Sequence, residues 1–270
     1  MNTNAIPSTV RRRIAMDPRL DFYASYVDRW IPDRHASVLV IAGGQADKQV
    51  IESLGFGNVV FSNVDPIHAG AADFAPYKFS HQDAEALTYA DASFDYVIVH
   101  AGLHHCHSPH RALLEMYRVA RKGIVVIEAR DSATMRLLQL MMIAETYEVT
   151  AVRFWKGERG GVKNGPIPNF VYRWTEREVQ KTINCFAPQA VHSFDFGYGR
   201  AAPAAVQNPG HSARNLTIGM LFALYRLFAL VFPRQRNLFA IFVSKPNLPN
   251  DLQPWLRWGD GNPRVILKNE

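Results

Sequence analysis

VLVIAGGQADKQVIESLG, residues 38–55, sets the fold. Val38 to Ile41 are four apolar residues in a row, the mark of a short strand buried on both faces. Gly43 and Gly44 supply a tight turn, after which Lys48, Gln49, Val50, Ile51 and Leu54 take up helical spacing. Strand, glycine turn and helix in that order leave the free amides of a helix start beside a buried strand, where a ligand can use them. Two adjacent glycines also make ordinary strand-to-helix turns, so the neighbouring residues must decide what this one does.

Those neighbours continue the alternation. NVVFSNVD (58–65) reads as a second buried strand ending on Asp65, about twenty residues past the glycines, the separation at which an acid meets a ribose in nucleotide-binding βαβ units. KFSHQDAEAL (78–87) is a short edge strand plus turn, and SFDYVIVH (93–100) is a further buried strand with Asp95 at its entrance. HRALLEMYRVAR (110–121) has helical periodicity closed by Lys122-Gly123, and GIVVIEA (123–129) is the next strand. Upstream, Leu20, Tyr23, Tyr26, Val27 and Trp30 predict a lead-in helix over 20–35, stopped by Pro32. Such alternation implies an α/β fold: a parallel sheet with helices on both faces and ligands beyond the carboxyl ends of the strands.

The second half is less regular. DSATMRLLQLMMIAETYEV (131–149) reads as one helix under an acidic cap, and WKGERGGVKNGPIPN (155–169) as a long glycine- and proline-rich loop of the kind that serves as a lid. TEREVQKTINCF (175–186) opens with a capping box, Thr175 to Glu178, and leads to a strand in AVHSFDFGYG (190–199). RNLFAIFVSKP (236–246) is the last strand. LTIGMLFALYRLFALVFP (216–233) is short for a membrane span and carries Arg226 near its middle. Being apolar nearly all round, it must be covered: by core packing, by a tunnel for a greasy substrate, or by contact with a membrane surface. The tail, 247–270, has no assignable pattern.

With 270 residues the chain can form one large domain. A single domain over 1–270 is expected, with its core at 36–130 and insertions at about 150–174 and 200–235 forming a lid. Its 48% hydrophobic and 20% charged residues are those of an ordinary globular protein. A net charge of +6 permits an anionic partner. The longest basic run, however, is Arg11 to Arg13, without the interleaved aromatics of a nucleic-acid platform, so no nucleic acid is expected. Two distant cysteines, Cys106 and Cys185, and an N-terminus without an apolar core fit the cytoplasm.

SFDYVIVHAGLHHCHSPHRALLEMYRVARKG (93–123) follows the pattern Ser-Phe-Asp, apolar strand, Leu-His-His-x-x-x-Pro-x-x-Ala-Leu-x-Glu-x-x-Arg-Val. In this it resembles the small-molecule, type 11-like group of class I S-adenosylmethionine-dependent methyltransferases. The resemblance covers residues 20 to 130, and the late helix and two closing strands agree in order. It implies a Rossmann-like seven-stranded sheet whose last strand is antiparallel, with S-adenosyl-L-methionine as cofactor. It also implies methyl transfer (EC 2.1.1.-), read as O-methylation of a small-molecule, sugar or lipid-linked acceptor. By the same resemblance Ala42, Gly43 and Gly44 meet the methionine part of the cofactor. Asp65 accepts from both ribose hydroxyls, Asp83 and Ala84 meet the adenine amino edge, and His100 and Ala101 lie where the fourth strand passes the cofactor. Three positions depart from the pattern. Val40 stands where the first motif has an acid, and Ala42 and Ala46 stand for glycines. Asp47 is close enough to substitute in part for the acid, and alanine for glycine costs little where backbone angles stay negative.

HAGLHHCHSPH (100–110) holds five histidines and a cysteine. Ligands along one short loop cannot surround an ion unless the chain folds back, so no metal is expected. A histidine near the methyl acceptor suits the removal of its proton, with His105 the first choice and His104 the second. Glu128, Arg130 and Asp131 follow the fifth strand and are expected to line the acceptor side, the bland alternative being a helix cap by Asp131 and a surface ion pair. Arg153, Lys156, Arg159 and Lys163 make the lid positive, which suits an anionic acceptor; the apolar helix suits a hydrophobic one. Two rival readings are an inactive cofactor-binding scaffold and a nicotinamide-dependent reductase. The second requires a Gly-x-Gly-x-x-Gly spacing that GGQADK lacks.

Overall fold

Strand β1 (Val38–Ile41) has all four side chains buried and lies inside the sheet, with a strand on either side. The computed structural model describes residues 17–65, 71–202 and 213–266. β2 (Val59–Asn63), β3 (Lys78–His81), β4 (Phe94–His100) and β5 (Ala120–Ala129) run parallel to β1, while β6 (Ser193–Gly199) and β7 (Leu238–Ser244) close the sheet. The order is β3-β2-β1-β4-β5-β7-β6. β1 pairs in parallel with both β2 and β4, Val38 lying opposite Val59 and Tyr96. β7 is antiparallel to β5 and to β6. This is the expected seven-stranded sheet. Strand order reverses between β1 and β4, which opens a crevice at their carboxyl ends.

Side-chain alternation along β1 divides the core between two layers of helix. Val38 and Val40 join α1 (Pro18–Trp30) and α2 (Gln45–Leu54) through Tyr23, Val27 and Val50. Leu39 and Ile41 face α3 (Pro109–Val119) through Leu113 and Met116. α6 (Glu176–Phe186) joins that layer through Val179 and Ile183. Leu113 is fully buried, so truncating it to alanine would cost about 2–5 kcal/mol. α1 also reaches the far edge: Trp30 Nε1 donates to Asp195 at 2.8 Å and its ring stacks on Phe242. Gly197 lets the helix approach β6, because a Cβ there would fall 2.0 Å from the Tyr26 ring.

Several boundaries differ from the sequence expectation. α1 ends at Trp30, short of 35. α3 ends at Val119, and Lys122-Gly123 lies inside β5, where a Cβ on Gly123 would meet the Val243 carbonyl at 2.8 Å. The single helix expected over 131–149 is two, α4 (Ala133–Leu140) and α5 (Val149–Phe154). Met142, at φ 54°, turns the chain between them. The cap on α4 is Ser132, whose hydroxyl accepts from the Met135 amide, and not Asp131. The Thr175–Glu178 capping box is present as read. In the tail, β8 (Leu256–Gly259) and β9 (Asn262–Val265) form a hairpin.

The apolar helix α7 (Ala213–Val231) departs furthest from expectation. Among its described side chains Ala229 alone is buried, and Leu216, Leu224, Leu227 and Val231 are mostly exposed, so core packing does not cover it. Among the described residues no helix is long and apolar enough to cross a membrane. The basic run Arg11–Arg13 and residues 203–212 of the second insertion lie outside the described residues.

Candidate functional site

The crevice beyond β1, β2 and β4 holds a cavity of about 460 Å³ whose wall includes Ala42, Asp65, Asp83, Ala84, Ala101 and His105. The glycine turn is tied to β2: Gly43 N–H donates to the Ser62 carbonyl at 2.9 Å and the Asn63 amide donates to the Gly43 carbonyl at 3.1 Å. A Cβ on Gly43 would meet the Phe61 ring at 2.9 Å, so the turn can approach the strand only with glycine there. Gly44 caps α2, its N–H bonded to Asp47. Ala42 and Ala101 both have positive φ, 49° and 51°. The condition under which alanine costs little, a negative φ, is therefore not met at Ala42: a left-handed non-glycine residue costs about 1–2 kcal/mol. Such strain is characteristic of binding and catalytic sites.

Two carboxylates project into this cleft and both already have partners. Lys163 Nζ stands 2.6 Å from Asp83 and 3.2 Å from Glu85, and the Asn164 amide donates to Asp65. Burial works against ionisation of Asp83, but the Lys163 ammonium outweighs it and holds the carboxyl below its usual range. Lys163 and Asn164 sit in the left-handed region, φ 47° and 58°, at the tip of the loop over 155–169. Nearer the loop's start Arg159 lies on the Trp155 ring, 3.9 Å from its centre. Arg153, Lys156 and Arg159 show no acidic partner among the described ion pairs.

A second cavity, about 780 Å³, lies beside the first; His100, His104, Glu128 and Glu148, with Arg19 and Arg173 among others, belong to its polar wall and Leu138, Ile143, Leu221 and Phe222 to its apolar one. His100 faces this larger cavity, stacks on Tyr23 and lies 3.3 Å from Asp47. Asp47 is thus engaged by Gly44 and His100. Ala101 borders both cavities.

Between the two cavities the short 3-10 turn Leu103–His105 presents its histidines. Glu128 is buried; one carboxylate oxygen accepts the Leu103 amide at 2.7 Å and the other accepts His104 Nδ1–H at 2.8 Å. His105 Nδ1–H donates to the Gly161 carbonyl at 3.1 Å. Both Nε2 atoms are left facing Glu148 Oε2, each 3.6 Å away. That is beyond hydrogen-bond length, and Glu148 Oε2 is buried with no hydrogen-bond donor. Burial disfavours charge on His104, but Glu128 and then Glu148 outweigh it and raise its pKa. Burial lowers the pKa of His105, and the neighbouring His104 charge lowers it further. Burial pushes the Cys106 thiol up to about 12, so it stays protonated.

Of the acceptor-side residues read from sequence, the structure brings only Glu128 to the site. Arg130 is spent on Glu176 at 2.8 Å and on the Arg234 carbonyl, and its guanidinium lies over the Tyr198 ring. Asp131 pairs with Arg136. Glu148 was hidden from sequence reasoning because the helix expected to carry it breaks after Leu140 and the chain folds back. Asn169, buried with its side chain beside the Glu148 carboxylate, gave no sequence signal either.

Residues 57–127, less than half the chain, match the family described as methyltransferase domain. No curated protein matches the chain. Among solved structures, a Haloferax volcanii complex between the Trm112 methyltransferase activator and a methyltransferase is similar at 13% identity and TM-score 0.53, over 89% of this chain and 96% of that one. An S-adenosylmethionine-dependent methyltransferase from Thermotoga maritima is similar at 15% and 0.50, over 88% and 92%. The magnesium protoporphyrin IX methyltransferase of Synechocystis, solved with bound SAH, is similar at 11% and 0.50, over 90% of each chain. At these identities the likeness is one of fold.

Proposed function

Since residues 57–127 match the methyltransferase domain family and the fold is that of class I S-adenosylmethionine-dependent methyltransferases, we propose that this protein moves a methyl group from S-adenosylmethionine to an oxygen of a small, largely apolar acceptor. The observation that carries this reading is the position of His104, His105 and Glu148 between a carboxylate-bearing cleft and a larger, mostly apolar cavity.

The smaller cleft suits the cofactor. Asp65 offers a carboxylate to paired hydroxyls and Asp83 one to an amino edge, while Ala42 and Ala101 close the wall without bulky side chains. Bound there, the cofactor supplies an activated methyl group on a sulfonium. For that, Lys163 and Asn164 must give up Asp83 and Asp65, which makes their loop a lid.

The larger cavity suits the acceptor. Its hydrophobic wall holds the body of the molecule, and the histidine–glutamate cluster receives its reacting oxygen. Orienting that oxygen supplies most of the acceleration and a base adds about 10²–10⁴-fold. In the cation-free chain His105 is the group that takes the proton: Gly161 holds Nδ1–H, so the Nε2 lone pair is free. His104, charged between Glu128 and Glu148, positions the acceptor. We assign the exposed leucines of α7 to a membrane surface from which a hydrophobic acceptor is drawn, and the protein, with both cysteines free, to the cytoplasm.

Calorimetric titration with S-adenosylmethionine and with NADH tests the reading. Binding of the first alone supports it. Binding of NADH alone favours the reductase, and binding of neither overturns the methyl-transfer reading.

A further inference from the structure

We infer that His104, His105 and Glu148 form a binding site for one divalent transition-metal cation of the zinc, manganese or iron class, set where it can hold an acceptor oxygen. The inference rests on the placement of the acceptor proposed above.

The three potential ligand atoms, Nε2 of both histidines and a Glu148 oxygen, lie within 4.8 Å of one another. Glu148 Oε2 is 3.6 Å from each Nε2. Ligands about 2.1 Å from a common tetrahedral ion stand roughly 3.4 Å apart, so the two edges to Glu148 are already near that length, and the edge between the two Nε2 atoms, within 4.8 Å, closes by up to about 1.4 Å. Both rings are turned for the task by an acceptor on the opposite nitrogen: the Glu128 carboxylate for His104 and the Gly161 carbonyl for His105. Carboxylate–histidine–metal relays of this kind fix the tautomer that leaves Nε2 unprotonated and raise its basicity as a ligand.

A further observation points to something held here. Glu148 Oε2 is buried and unsatisfied, and so are both amide atoms of buried Asn169 beside it. A buried polar group without a partner is costly, more so when charged. Two imidazoles and one carboxylate favour first-row transition metals over magnesium or calcium, and three protein ligands leave positions open for an oxygen of the acceptor. The objection that one loop cannot surround an ion is met by the chain folding back with Glu148.

The test is titration of the metal-free, full-length chain with Co²⁺, followed by visible absorption, and with Zn²⁺ by calorimetry, S-adenosylmethionine affinity being measured in parallel. The expected result is one Co²⁺ per chain with intense ligand-field bands. Glu148→Gln should weaken binding about 100-fold and Glu128→Gln about 10–100-fold, with melting curves showing both variants folded. Replacing Cys106 by serine should change nothing. A wild-type chain that shows no such bands, or a folded Glu148→Gln protein that binds Co²⁺ as well as wild type, overturns the site. Cofactor binding without cation binding would reject this inference alone and leave the methyl-transfer reading standing; cation binding without cofactor binding would do the reverse.

Discussion

The Lys163 ammonium lies 2.6 Å from the Asp83 carboxylate, although eighty residues separate them in the chain. Loop tip and cofactor therefore compete for one acid. The pair is only about two-thirds buried, which limits its worth to about 1 kcal/mol. Lys163→Ala should tighten S-adenosylmethionine binding by about three- to fivefold in calorimetry. Weaker binding would show that Lys163 contacts the cofactor and does not oppose it.

Asp65 is held from behind, its amide donating to the Asn63 side chain at 2.9 Å, so replacing its carboxylate leaves the turn in place. Asp65→Ala removes a charged acceptor from two hydroxyls, a loss of about 1.5–3 kcal/mol, or at least tenfold in affinity. Equal affinity in the variant would reassign the acid of the second strand.

What the sequence disclosed follows from what periodicity measures. Val38 to Ile41 and Val97 to Val99 are apolar on both faces because a parallel sheet covers both, and Thr175 with Glu178 announces a helix start through local hydrogen bonds alone. Those patterns placed Asp65, Asp83 and the histidine turn at one end of the sheet. They could not place Glu148, which arrives through an irregular turn at Met142 whose geometry no pattern encodes. Nor could they tell that Arg130 would be consumed by Glu176, since ion pairing between distant segments leaves no local trace. Helix α7 shows the converse: an apolar stretch states a need for cover without naming what meets it.

Asp95 ties β4 to β5 and to the residue before β1. Its carboxylate accepts from the Ser37 amide and hydroxyl at 3.0 and 3.1 Å and lies 2.8 Å from Arg121 and 3.0 Å from Lys122. Burial opposes its charge, but Arg121, Ser37 and Lys122 prevail and hold it well below the usual range. A folded pKa below the unfolded value of about 3.9 gives stability that is fully present above that value and declines as pH falls toward the folded one. Both cations are about half exposed, so the contribution is discounted for screening to about 2 kcal/mol. Urea unfolding should find Asp95→Asn less stable by that amount at pH 7, with the gap narrowing at pH 3. A gap that is constant with pH would mean that the loss is one of packing.

Along α7, Met220, Leu224, Leu227 and Val231 fall on one side of the helix at spacings of four, three and four, and are 65, 63, 64 and 72% exposed. Arg226 is exposed on another side of the same helix and Arg234 just beyond its end, so an outward apolar stripe and cations occur on one element, the combination that draws a helix to an anionic lipid surface. Leu224 and Leu227 bury little in the folded chain, and exchanging both for glutamine should move unfolding free energy by no more than about 0.5 kcal/mol. The same exchange should abolish sedimentation with vesicles containing phosphatidylserine, and raised salt should weaken the wild-type interaction by screening its arginines. If the wild-type protein stays in the supernatant with such vesicles, the stripe does not meet lipid. The acceptor would then have to reach the larger cavity from solution.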